Sequence, residues 1–251
     1  MQTGSDIMKK TLQLLFATAA LPLALAATPL TFNLTGSSSN GSIGNSRTYT
    51  NNGVTMTVTG WGLTGNGSTT LAPGAVGRWS TGIGVCNGSE GAGCSSPHHQ
   101  VDNSGQFDFV MFQFSETVEL GGVRLNPYGS YDTDVTYWAG MADGGLNLAG
   151  MTLSDLAGIL GLNGPTHDLT SNNGATRTVS MTTGAVNTLV FGATTLAGYT
   201  GNDYFKIEKL MGELHIPPPP PPPNEIPEPS TYALMGAGLL AFGLRKRFAR
   251  K

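Results

Sequence analysis

The apolar residues of this chain fall in short runs whose spacing is that of strands. Val54, Met56 and Val58 alternate with threonines directly after Asn51-Asn52-Gly53. Such alternation buries one face of a strand and wets the other, and the Asn-Asn-Gly triplet tolerates the positive φ angles of a tight turn, so a hairpin or strand entry is predicted over 48–62. Residues 107–114 are almost wholly apolar, with Phe107, Phe109 and Met111 on one face and Val110, Phe112 and Phe114 on the other; this predicts a central strand covered on both sides. Further strands are predicted at 118–125, 134–139, 176–182, 188–191 and 204–210. Helical spacing is confined to 153–162 (Leu153, Leu156, Ala157, Leu160) and reads as a helix carried on a loop. Many short strands separated by Gly and Asn turns predict an all-β fold, an antiparallel β-sandwich or jelly-roll-like single domain over 28–215, because stacking or closing sheets protects their edges.

Two other apolar runs lie at the chain ends and have different flanks. Met8-Lys9-Lys10 precedes an apolar run over 12–25 that closes on Ala24-Leu25-Ala26. A basic start, a short apolar core and a small-x-small cleavage pattern define a secretory signal helix over 1–27, with 1–7 read as a start-site extension. At the other end, an uncharged run over 230–244 is followed at once by Arg245, Lys246 and Arg247. By the positive-inside rule this basic end stops in the cytoplasm. The run is short against the roughly 20 residues of a comfortable span, which predicts a short membrane helix serving as a transient inner-membrane anchor. Between body and tail, 216–226 contains seven consecutive prolines. They predict an extended polyproline II spacer of about 3.1 Å per residue.

Setting both ends aside changes the charge. Residues 28–226 carry six basic and fourteen acidic side chains, a net −8 where the whole chain has −3. No Lys/Arg cluster remains to form the footprint that nucleic-acid binding requires, so nucleic acid is excluded as a partner. The two cysteines, Cys86 and Cys94, default in an exported chain to a disulfide closing a small loop. A metal site shared with His98 and His99 is the competing reading, although the spacing departs from that of structural zinc sites. No cofactor is required by any motif. The oxygen-rich segments holding Asp102, Asn103, Asp132 and Asp134 could nevertheless take Ca²⁺, which prefers six to eight oxygen ligands; turn capping is the alternative use of the same side chains. Trp138 and Tyr137 offer flat faces that could stack on sugar rings, although core packing is the better reading of each, because a small β domain needs such bulk. A hydrolase would draw on His98 or His99 with Asp102 or Asp108, but no Gly-x-Ser-x-Gly elbow presents a nucleophile, and no catalytic residue is assigned.

Pro227-Glu228-Pro229, the uncharged run and the basic end together resemble a PEP-CTERM sorting signal over 227–251, the C-terminal tag of bacterial proteins handled by the membrane transpeptidase exosortase. The resemblance implies that Pro227, Glu228 and Pro229 form a recognition and processing site in a substrate of that enzyme. The body also resembles a recurrent group of PEP-CTERM surface proteins: a Gly-rich loop over 82–86, His98-His99-Gln100-Val101-Asp102-Asn103, the strand that follows, Asp132-Thr133-Asp134 and 201–207. That group brings no assigned activity. The expectation is an exported, non-enzymatic surface or extracellular-matrix protein of structural or adhesive role, with exosortase, the inner membrane and exopolysaccharide or other glycans as partners. A carbohydrate-binding or Ca²⁺-dependent lectin-like module is the alternative, and a secreted hydrolase the third reading.

Overall fold

Thirteen strands and one short helix make up the body in the computed structural model, which describes residues 27–37, 42–65, 67–90, 94, 96, 98–162, 164–170, 174–198, 203–218, 220 and 232–240. In chain order these are β1 (Pro29–Asn33), β2 (Ser42–Gly44), β3 (Ser46–Asn51), β4 (Val54–Leu63), β5 (Leu71–Trp79), β6 (Gly82–Cys86), β7 (Val101–Asp102), β8 (Asp108–Pro127), β9 (Val135–Gly140), α1 (Leu153–Ile159), β10 (Thr166–Asp168), β11 (Arg177–Ser180), β12 (Val186–Ala193) and β13 (Tyr204–Leu214). The hairpin predicted at Asn51-Asn52-Gly53 is present. Asn52 and Gly53 take φ of 46° and 83°, and β3 and β4 pair from Asn51↔Val54 to Ser46↔Thr59.

The sequence suggests two strands over 107–125, but the chain runs through them as one strand of 20 residues, β8. Its first half pairs with β4 and β12, and its second half with β13 and β11. The exposed Ser115 and Glu116 mark the exchange between the two sets of partners. Because β4 also pairs β5, β5 pairs β6 and β6 pairs β13, the hydrogen bonds run in a closed circuit β8–β4–β5–β6–β13–β8. The mostly-β antiparallel expectation therefore holds, and the sheet is continuous with barrel-like closure. Closure removes edges that would otherwise stand unpaired. Register shifts between Ile207 and Lys209 and between Met211 and Gly212 let β13 follow the bend of β8.

Alternation along β8 divides its side chains between two cores. Val110, Phe112 and Phe114 enter the larger one with Val58, Val123, Phe191, Phe205 and Ile207. Phe109 and Met111 enter a second, with Trp61, Trp138, Leu148, Leu156 and Leu160, where α1 acts as a lid. The Asp155 carboxylate accepts the Thr152 N–H at 2.7 Å and fixes the start of α1.

Residues 216–251 form a unit of their own. Its described helix, 232–240, is exposed throughout and spans about 14 Å at 1.5 Å per residue, about half a bilayer core. Among the described residues no helix is long and apolar enough to cross a membrane, so the predicted C-terminal membrane helix is not borne out there. The signal helix, Pro227, Glu228, Pro229, Arg245, Lys246 and Arg247 lie outside the described residues.

Candidate functional site

Chemistry concentrates where β7 meets the start of β13, and the four residues predicted to hold Ca²⁺ are divided there between two clusters. Asp102 pairs across the ladder with Tyr204, and the next residue along, Asn103, points elsewhere. Its Nδ2 donates to Asp203 Oδ2 at 2.5 Å and to the Thr194 carbonyl at 3.2 Å. Asp203 in turn bridges to Asp132 and accepts the Asp134 N–H at 2.9 Å. Carboxylate oxygens of Asp132, Asp134 and Asp203 lie within 4.8 Å of one another. Asp134 is buried and its Oδ1 has no hydrogen-bond partner. Burial, then the Asp132 charge, pushes Asp134 up to about 6 despite Arg177. Burial raises Asp203 to about 7.

Asp102 belongs to the other cluster, with Glu90 and His98, whose ligating atoms likewise lie within 4.8 Å of one another. Asp108, at the start of β8, completes it. Asn87 organises these residues: its N–H donates to Glu90 Oε2 at 2.9 Å and its Nδ2 to Asp108 Oδ1 at 3.0 Å. Close packing at Gly62 makes room, since a Cβ there would meet the Asn87 Cβ at 2.5 Å. Asp102 and Asp108 are fully buried, and the Oδ2 atom of each has no hydrogen-bond partner. Burial raises Glu90 to about 8 and Asp102 to about 7. Asp108 stands well above the usual carboxylate range, first through burial and then through the charges of Asp102 and Glu90. The sequence pattern assigns no ligand role to Glu90 or to Asp203, although Asp203 lies in the 201–207 stretch; only the fold brings them to their partners.

Beneath this end, Cys86 and Cys94 form the predicted disulfide and pack with Trp79. Lys206 is 3 % exposed, donates from Nζ to the His99 carbonyl at 2.7 Å and lies 4.2 Å from the centre of the Trp79 ring. Burial lowers its pKa to about 7.

The stacking assignment of Trp138 is corrected by its burial. The ring is 2 % exposed and meets Phe109 edge-on at 6.0 Å, so no face is free for a sugar. Tyr137 is half-buried and stacks on Phe191 at 6.1 Å. Among the described residues of the body, the exposed aromatic side chains are instead Tyr128 and Tyr131, stacked at 6.1 Å, with Tyr131 at 4.5 Å from Tyr204. Their signal in the sequence was two tyrosines spaced by Gly129 and Ser130 just ahead of Asp132, where a core aromatic would be out of place.

Comparison with curated proteins and with solved structures returned no match for the chain. Residues 225–247 match the PEP-CTERM protein-sorting motif. Exosortase is the processing partner that this motif implies, and export to the surface or beyond is the destination. The tail thus marks the chain as an exosortase-sorted surface protein.

Proposed function

We propose that the exported body is a structural or adhesive component of the extracellular matrix, held briefly at the inner membrane, processed by exosortase at Pro227-Glu228-Pro229 and acting by binding rather than by turnover. The observation that carries this reading is the sorting motif at 225–247, joined to a body that carries a loop-closing disulfide suited to an oxidising exterior. The deciding experiment is intact mass and cellular location in the native host and in the same host lacking exosortase. Loss of the residues after Pro229 only where exosortase is present, with membrane retention where it is absent, is the expected result. An unprocessed C-terminus in both hosts would overturn the proposal.

A second reading, a glycan-binding module, is favoured by the exposed Tyr128–Tyr131 pair, since paired aromatic faces can lie against the apolar faces of sugar rings. Retention on the host's exopolysaccharide should fall several-fold in Tyr131→Ala; unchanged retention would remove this reading. The hydrolase reading draws least support, because Asp102 and Asp108 are sealed from solvent. Turnover of an ester or polysaccharide that disappears in His98→Ala would restore it.

A further inference from the structure

We infer that Glu90, His98 and Asp102 form a binding site for a divalent first-row cation, Mn²⁺ or Zn²⁺, with the buried Asp108 carboxylate supplying further negative charge beneath it. The donor atoms of the three ligands lie within 4.8 Å of one another, close enough to share one ion. A cluster of acids alone would not point to a ligand. Here, however, Asp102 and Asp108 are both fully buried, and each leaves Oδ2 without a hydrogen-bond partner. Buried polar atoms are otherwise almost always satisfied. The remaining polar atoms are already used in ways that hold the carboxylates together: Ser104 N–H on Asp102 Oδ1, Asn87 Nδ2 on Asp108 Oδ1 and Asn87 N–H on Glu90 Oε2. Among the described residues, the ion pairs of Arg124, Arg177 and His215 go to Glu208, Asp168 and Glu119, so none neutralises this cluster. Buried carboxylates such as Asp102 and Asp108 that no lysine or arginine ion pair reaches are compensated by a cation or by protons. Exposed His98 stands at the rim, giving an ion a way in from solvent. An imidazole among carboxylates favours a first-row transition ion over Ca²⁺, whose ligands are oxygens; the all-oxygen Asp132, Asp134 and Asp203 cluster serves as an internal comparison.

The test is titration calorimetry of the purified full-length chain, first treated with EDTA, against MnCl₂, ZnCl₂ and CaCl₂ in separate runs, with electron paramagnetic resonance reporting bound Mn²⁺. One ion bound per chain is expected for Mn²⁺ or Zn²⁺, weakened at least tenfold in Glu90→Gln and in His98→Ala, both partly or fully exposed positions that leave the core intact, and unchanged in Asp134→Asn. Asp108→Asn should weaken binding by roughly 10–100-fold, yet melt higher than the parent in EDTA because the cost of burying a carboxyl that must ionise or take up a proton is gone. A merely structural carboxylate would not produce that pair of opposite effects. No binding, binding that survives Glu90→Gln and His98→Ala, or binding of Ca²⁺ alone that Asp134→Asn abolishes would each overturn the assignment.

Discussion

Replacing Lys206 by Met tests whether the body buries a charge without a carboxylate partner. Lys206 is 3 % exposed, and its folded pKa is lowered by burial from 10.5 to about 7. The unfolded chain therefore binds more protons than the folded one between pH 7 and 10.5, and stability rises with pH across that window. Below pH 7 both states are protonated and the cost of the buried charge is present in full. At 1.36 kcal/mol per pKa unit, a shift of about 3.5 units amounts to a ceiling of about 5 kcal/mol. Met keeps the unbranched stem against Trp79 but loses the donor to the His99 carbonyl, a cost of about 1 kcal/mol that does not depend on pH. Urea unfolding at pH 6 should thus find Lys206→Met more stable than the parent by about 2–4 kcal/mol, and at pH 10, where most of the burial cost is gone and the lost donor offsets the rest, within about 0.5 kcal/mol of it. The change in the difference between the two proteins isolates Lys206 from the carboxylates that titrate in the same range. A difference that stays constant from pH 6 to pH 10 would refute the reasoning, since it would mean that Nζ keeps contact with water or a counter-charge.

Two further substitutions test the packing. Gly192→Ala on β12 would press a Cβ into the Asp108 carbonyl and the Phe109 ring, backbone and core that cannot yield cheaply; a loss of about 1–3 kcal/mol in chemical denaturation is expected, and a neutral result would show that β12 can shift away from β8. Trp138→Ala should cost about 3–5 kcal/mol without changing retention on polysaccharide, whereas a stable variant that loses retention would return Trp138 to the binding surface.

Where periodicity and turn chemistry coincide, the fold was legible. The β3–β4 hairpin follows from Asn51-Asn52-Gly53 beside an alternating run, and the two faces of residues 107–114 were assigned to opposite cores before either core was known. The Gly-rich stretch Gly82–Cys86 has the composition of a loop, yet it is β6 and buried throughout. Glycine here permits close backbone approach: a Cβ on Gly84 would collide with the His99 carbonyl, and one on Gly82 with that of Ile207. Local pattern cannot distinguish such a strand from a flexible turn, because the reason for each glycine lies more than ten residues away. The candidate site was half legible for the same reason. Asp102, Asn103, Asp132 and Asp134 stood out as oxygen-rich pairs, but which belong together depends on strand pairing, and Asp102 and Asn103 point to different clusters. For Trp138, side-chain type leaves core packing and stacking both open, because it says nothing of which face of β9 carries the second core.

The disulfide and the proposed cation site are tied to one segment, and that coupling can be measured. Cys86 and Cys94 bracket Asn87 and Glu90, and His98 follows four residues after the bridge. Closing a loop with a sequence separation of 8 stabilises the fold by about 2.5 kcal/mol in the chain-entropy account. It also narrows the positions open to the Glu90 carboxylate before an ion arrives, which lowers the ordering cost of binding. Reduction, or the Cys86→Ala/Cys94→Ala pair, should therefore lower the melting temperature by roughly 5–10 °C and weaken Mn²⁺ binding together with it, while Ca²⁺ behaviour at Asp132, Asp134 and Asp203 stays as it was. Because such bridges persist in oxidising compartments and not in a reducing cytoplasm, a chain carrying the sorting motif would acquire its full stability only after crossing the membrane. Reduction that lowers the melting temperature but leaves Mn²⁺ affinity untouched would separate the two, and would show that Glu90 is held by Asn87 alone.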